Sequence, residues 1–252
     1  MAAAAVVQTA SGDVKAAIGS AAPVMVTQNS ALENGMTVTT GDNSHVVMKF
    51  EDGQVVALNA NTSFKIEQYH FEQAKPQKSS MIFSLLKGAM RAVTGLIAKN
   101  NANAFTLHTP SATIGIRGTD FMAATGSLYL QVINGTVSAT TSAGTTAFAV
   151  GQTGFVASLS ALPTAIAAAQ LPAAVAASFS QLGSIAMAGT GAAAGGATSG
   201  GAAGGTAATG AAVGGLSTVA VVGTVAAVAA VAAIAANDNP TAAAATTTVT
   251  AP

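Results

Sequence analysis

At 252 residues the chain has room for one large domain or two small ones, and nine Lys/Arg against nine Asp/Glu leave it without net charge. That balance excludes the basic field of a nucleic-acid binder, and the absence of cysteine excludes disulfides, thiolate metal sites and cysteine catalysis. All nine cations lie between Lys15 and Arg117, and Asp238 is the one charge after Asp120, so the second half lacks an ordinary charged, solvated surface.

Met1 to Ala10 has neither a basic n-region nor a long apolar core, and no intact signal peptide is read there. From about Val14 to Leu159, short β-prone runs alternate with glycine and Asn/Asp turns, which predicts an antiparallel sandwich or barrel. His45 to Glu51 and Gln54 to Asn59 flank Asp52-Gly53, a pair suited to a type I′ hairpin because both central residues tolerate positive φ. Asn134-Gly135, between Ser127–Ile133 and Thr136–Thr140, predicts a second hairpin, and further turns are expected at Asn34-Gly35 and Gly41-Asp42. Ser79 to Gly95 is apolar and reads as strand, bend at Gly88, strand, since its β-branched residues and glycines oppose a continuous helix. Lys75, Lys78, Lys87, Arg91 and Lys99 form a one-sign run with Phe83 as its one interleaved aromatic, the pattern of a solvated face more than of a phosphate track.

After Leu159 the chemistry changes. Leu162–Gln170 and Leu171–Phe179 are tandem nine-residue units with proline where a helix begins, and they predict two short Ala-rich helices over 161–182. Residues 183–215 hold twelve glycines among small residues and read as a flexible linker. In 216–236, Val219, Val222, Val225, Val228, Val231 and Ile234 recur every third residue, which predicts a helix apolar on all sides, long enough to cross a bilayer and expected to contact either lipid or another copy of itself. Residues 237–252 read as a disordered C-terminus.

Arg117 and Asp120 stand in an apolar, glycine-spaced stretch. A partly buried arginine needs a carboxylate, and Asp120 is its nearest one in sequence. His45, His70 and His108 show no metal-ligand spacing. Glu51 and Asp52 are adjacent, so a strand would point them to opposite faces. No GxSxG elbow or Walker-type loop occurs. These readings name no catalytic residue, metal or cofactor.

The segments Glu33–Phe64, Leu86–Gly95 (LKGAMRAVTG) and Thr109–Phe121 (TPSATIGIRGTDF), after a Gly-x-Val opening at Gly12, resemble in order the successive motifs of FecR-like domains. The resemblance spans about Ser11 to Ala139, and the hairpin signals together with the confinement of nearly all charges set the independently folding β domain at 11–160. It implies an all-β, extracytoplasmic, non-enzymatic domain that sends or receives a protein signal. Its motif positions here are Asp52, Gly53, Gly88, Arg91, Thr109, Pro110, Gly115, Arg117, Gly118, Thr119, Asp120 and Phe121, all expected to be structural. The regulator subtype also carries a sigma-binding helical domain and one transmembrane helix ahead of this domain, and neither is read here. The expected function is a binding, scaffold or signal-receiving module in the periplasm, on the cell surface or secreted, tethered by its tail. Its partner would be another envelope protein, a cell-surface glycan or itself. The alternative is a self-assembling surface or matrix protein, and an enzyme ranks last.

Overall fold

A computed structural model describes residues 3–75 and 78–187; the readings that fall on 188–252, including the 216–236 helix, lie outside the described residues. The chain divides into two units, 1–195 and 196–252.

The first unit is built almost wholly of strands. They are β1 (Ala5–Ser11), β2 (Val14–Ile18), β3 (Val24–Met25), β4 (Ala31–Leu32), β5 (Met36–Thr40), β6 (His45–Phe50), β7 (Val55–Leu58), β8 (Ser63–His70), β9 (Ser80–Lys87), β10 (Ala89–Val93), β11 (Phe105–His108), β12 (Thr113–Ala124), β13 (Leu128–Thr141), β14 (Gly144–Ala149), β15 (Thr153–Val156) and β16 (Thr164–Ile166). Two helices accompany them, α1 (Leu96–Asn100) and α2 (Ala173–Ser184). All sixteen strands join one sheet whose main path runs β3-β2-β5-β8-β9-β11-β12-β10-β7-β6-β1-β4. β1 and β2 are consecutive in the chain yet lie at opposite ends of that path, so the sheet curls back toward itself through the corner at Gly12-Asp13. Gly12 has φ +77°, and the Ser44 hydroxyl fills the place a Cβ would take while accepting the Asp13 N–H at 2.8 Å. Pairing is antiparallel throughout these strands except between β9 and β11.

Alternation sorts each strand's side chains between two faces. The inner face carries a run of rings in contact, Tyr69–Phe50–Phe83–Phe105–Phe121, with Phe64 also against Phe83 and centroids 5.1 to 6.5 Å apart. Such pairs contribute roughly 0.5–1.5 kcal/mol each beyond their burial. A second, separate apolar cluster occupies the outer face. There Val47, Val55, Ala57, Ala89, Met122 and Ala124 lie beneath Phe179 and Leu182 of α2.

Several local expectations are met. Gly88, at φ +93°, separates β9 from β10, giving the strand, bend, strand of Ser79 to Gly95. Others are corrected. At Asp52-Gly53 only the glycine has positive φ (+83°); Gly53 N–H donates to Phe50 O at 3.0 Å and Phe50 N–H to Gln54 O at 2.9 Å. The loop is therefore a type I turn over Glu51 and Asp52 closed by a glycine bulge, which leaves Asp52 in an ordinary conformation with its side chain turned inward. Asn134-Gly135 is not a hairpin. β13 runs straight through it, and the hairpin turn lies instead at Thr125–Ser127. Register jumps from Arg117↔Thr136 to Asp120↔Asn134, so Gly135 on one strand faces Gly118 and Thr119 on the other in a double bulge, and a Cβ on Gly135 would collide with the backbone oxygens of Gly118 and Arg117. Of the two Ala-rich units, the second forms α2, whereas the first adds β16 to the sheet edge and one 3-10 turn over Ala168–Gln170. Pairing with β15 decides the matter, because a lone nine-residue helix is marginal in water.

Candidate functional site

On the outer face of β6, β7, β10 and β12, two of the motif residues, Arg91 and Asp120, meet the second apolar cluster. Registers place Val47, Ala57, Arg91 and Met122 in one cross-strand row, and Lys49, Val55, Val93 and Asp120 in the next. Arg91 thus rises from an apolar row. Its guanidinium makes a bidentate pair with Asp120 on the diagonal, Nε–Oδ1 at 2.9 Å and Nη2–Oδ2 at 2.7 Å, with side chains only 15% and 17% exposed. The hydrogen bonds that Arg91 donates to the Asp120 carboxylate hold its pKa above the ordinary value, outweighing burial.

This corrects the expectation that Asp120 pairs with Arg117. Arg117 is exposed. The double bulge at Gly118–Thr119 separates the two residues, and Asp120 sits opposite Val93, within diagonal reach of Arg91. Thr119 is buried and ties β12 to the end of β10, its N–H donating to Thr94 Oγ1 at 2.8 Å and its carbonyl accepting the Thr94 N–H at 2.9 Å. Phe121 points into the inner core. Thr109 closes a turn with Ala112, its hydroxyl accepting the Ala112 N–H at 3.0 Å, and Pro110 sits exposed within that turn. Gly115 leaves room for the Ser138 hydroxyl, which donates to its carbonyl at 3.2 Å.

Asp52 is the second focus. It is 1% exposed; Oδ1 accepts the Gln54 N–H at 3.1 Å and the Tyr69 hydroxyl at 3.2 Å, and Oδ2 accepts the Ile97 N–H at 3.3 Å. Its own N–H donates to Tyr69 Oη at 2.9 Å, and its carbonyl accepts the Leu96 N–H at 2.9 Å. One residue thereby joins the β6–β7 turn, β8 and the first turn of α1, whose N–H groups would otherwise be unsatisfied. Gly95 permits the approach, since a Cβ there would overlap the Asp52 carboxylate. Burial raises the Asp52 pKa from its ordinary 3.8, against the hydrogen bonds that lower it. The Tyr69 phenol is also raised, by burial and by the neighbouring carboxylate.

The remaining charged candidates are dispersed. Lys75, Lys78, Lys87 and Lys99 are exposed, as are His70 and His108, while His45 is half-buried. Among the described residues no group of three His, Cys, Asp or Glu side chains could hold a metal ion, and no helix is long and apolar enough to cross a membrane. Sequence reasoning missed Tyr69, Gly95, Thr94 and the α2 contact. The last had a readable signal, for Val175, Phe179 and Leu182 fall at i, i+4 and i+7.

The family model described as FecR protein matches residues 36–138, which run from β5 into β13 and contain both Asp52 and the Arg91–Asp120 pair. Two crystal structures of a "putative anti-sigma factor" from Parabacteroides distasonis, at 1.65 and 2.50 Å, are similar at 15% and 16% identity with TM-scores of 0.41 and 0.42. Each covers 52% of this chain, which spans 58% of theirs. No curated protein matches.

Proposed function

Because this chain carries a FecR domain at residues 36–138, we propose that it is a non-enzymatic, extracytoplasmic protein-binding module that receives or relays a signal by docking another envelope protein. The observation that carries this reading is the outer face of the matched domain. It combines an apolar cluster, separate from the inner core and covered by α2, with one oriented and largely buried ion pair. The motif residues around it hold the strands in place: Asp52 ties the β6–β7 turn to α1, and Thr119 ties β12 to β10. Polar groups committed to backbone partners in this way are poorly available for turnover.

The chain lacks cysteine, so a single thiol can be placed at will. Ser158→Cys, on an exposed loop, reacts in intact cells with a maleimide that cannot cross the cytoplasmic membrane; protection until lysis refutes the extracytoplasmic reading. Photo-crosslinkers placed at Lys49 and Arg117 test partner binding at the margins of the outer face. A discrete heteromeric adduct supports it, and adducts with copies of this chain alone refute it.

The second reading, self-assembly, draws on β3, an edge strand whose Val24 and Met25 are 61% and 58% exposed. Sedimentation over a hundredfold concentration range separates the two, since an assembler grows and a binding module keeps one size.

A further inference from the structure

We propose that the outer face of β6, β7, β10 and β12 is a helix-binding surface, that α2 is its resident occupant, and that a partner helix with α2's apolar spacing displaces it. The inference rests on the protein-binding reading above and names the chemistry of the partner.

Four observations carry it. First, the inner core and the outer cluster share no buried residue, and β6, β7, β10 and β12 each have strand neighbours on both sides without α2. Lifting the helix therefore leaves the sheet and its aromatic core intact. Second, what it uncovers is the apolar patch of Val47, Val55, Ala57, Ala89, Met122 and Ala124, in which Met122 can adapt its shape to a different occupant. Third, α2 is weakly built. It has twelve residues, no side-chain cap at Pro172, and only Phe179 and Leu182 buried. Helices of about 12–15 residues or fewer are marginal in isolation, so the docked surface is what keeps α2 helical. Fourth, α2 lies beyond residues 36–138, the part of the chain that the FecR family model matches.

The seat of α2 specifies the replacement. The incoming helix needs an aromatic residue and a leucine three positions apart, a β-branched residue one turn earlier, and an uncharged contact face. It also needs an amide placed like Gln181, whose Oε1 accepts from Asn59 Nδ2 at 2.8 Å. A charged residue on that face would have to be desolvated against alanine and valine.

The test uses the full chain. A fluorescent synthetic peptide of residues 171–187 is titrated against wild type and against a Phe179→Asp/Leu182→Asp variant whose own helix cannot seat. The peptide is expected to bind the variant at least tenfold more tightly than wild type, and a peptide carrying Phe179→Asp is expected to bind neither. Equal or absent binding, with β7 and β10 amides still protected from exchange in the variant, overturns the proposal. Native-state hydrogen exchange on wild type reads the same device without mutation. The α2 amides are expected to open below the global unfolding free energy, and exchange only through global unfolding overturns it. A wild-type dimer holding exchanged α2 helices also overturns it. If the peptide fails while crosslinks to a heterologous protein persist, the helix surface is wrong and the binding module stands; if both fail, the binding module falls as well.

Discussion

Arg91 on β10 and Asp120 on β12 face each other diagonally across the outer face, joined by hydrogen bonds of 2.9 and 2.7 Å, while Arg117, only three residues from Asp120, stands in solvent. Removing Arg91 leaves a largely buried carboxylate without its partner. Arg91→Ala is expected to cost about 1–3 kcal/mol, and Arg117→Ala to stay within about 0.5 kcal/mol of wild type. Urea unfolding of the two variants checks the assignment, and a larger loss for Arg117→Ala would reverse it.

Asp52 links the fold to pH. Its folded pKa is raised above the ordinary 3.8, chiefly by burial, so the folded state binds its proton more readily than the unfolded chain. The stability it contributes is therefore fully present below the ordinary carboxylate value and is lost as pH rises through the folded one. Tyr69 and Glu51 are the other titratable groups acting at this site. The melting temperature of wild type, measured relative to Asp52→Asn, is expected to fall between about pH 4 and neutrality. A flat or rising difference would show that the three donors, not desolvation, dominate.

Gly88 and Gly53 separate conformational strain from collision. Both have positive φ, but a Cβ at Gly88 would run into Thr62, whose hydroxyl hydrogen-bonds Ala89 N–H at 3.1 Å, whereas Gly53 has open space. Gly53→Ala is expected to cost about 1 kcal/mol, and Gly88→Ala about 2–4 kcal/mol once overpacking is added. Thermal unfolding ranks them, and equal losses would remove the steric part of the argument.

Gln54 is fully buried, and neither atom of its side-chain amide has a hydrogen-bond partner among the described residues. Gln54→Met keeps the volume and removes both polar atoms. It is expected to stabilise the domain by about 1 kcal/mol, and a clear loss in denaturant midpoint would mean that the amide is satisfied in solution.

Chain order alone settled a good deal about this protein. Alternation and turn chemistry announced a succession of short strands from about Val14 to Leu159 and the bend at Gly88, because period-two patterning and glycine's tolerance of positive φ are local properties. The ordered motifs announced the match to the FecR family over residues 36–138. Tertiary structure decided the rest. Whether Asp52-Gly53 forms a type I′ turn or a bulged one depends on Asp52 finding Tyr69 and the start of α1, 17 and 45 residues away. Which arginine Asp120 takes depends on the β10–β12 register and on a bulge that spans two strands. Whether Leu162–Gln170 becomes helix or strand depends on the free edge of β15. Each of these outcomes is a competition between a local preference of a few tenths to one kcal/mol and a non-local contact, and non-local contacts exist only once the sheet has closed.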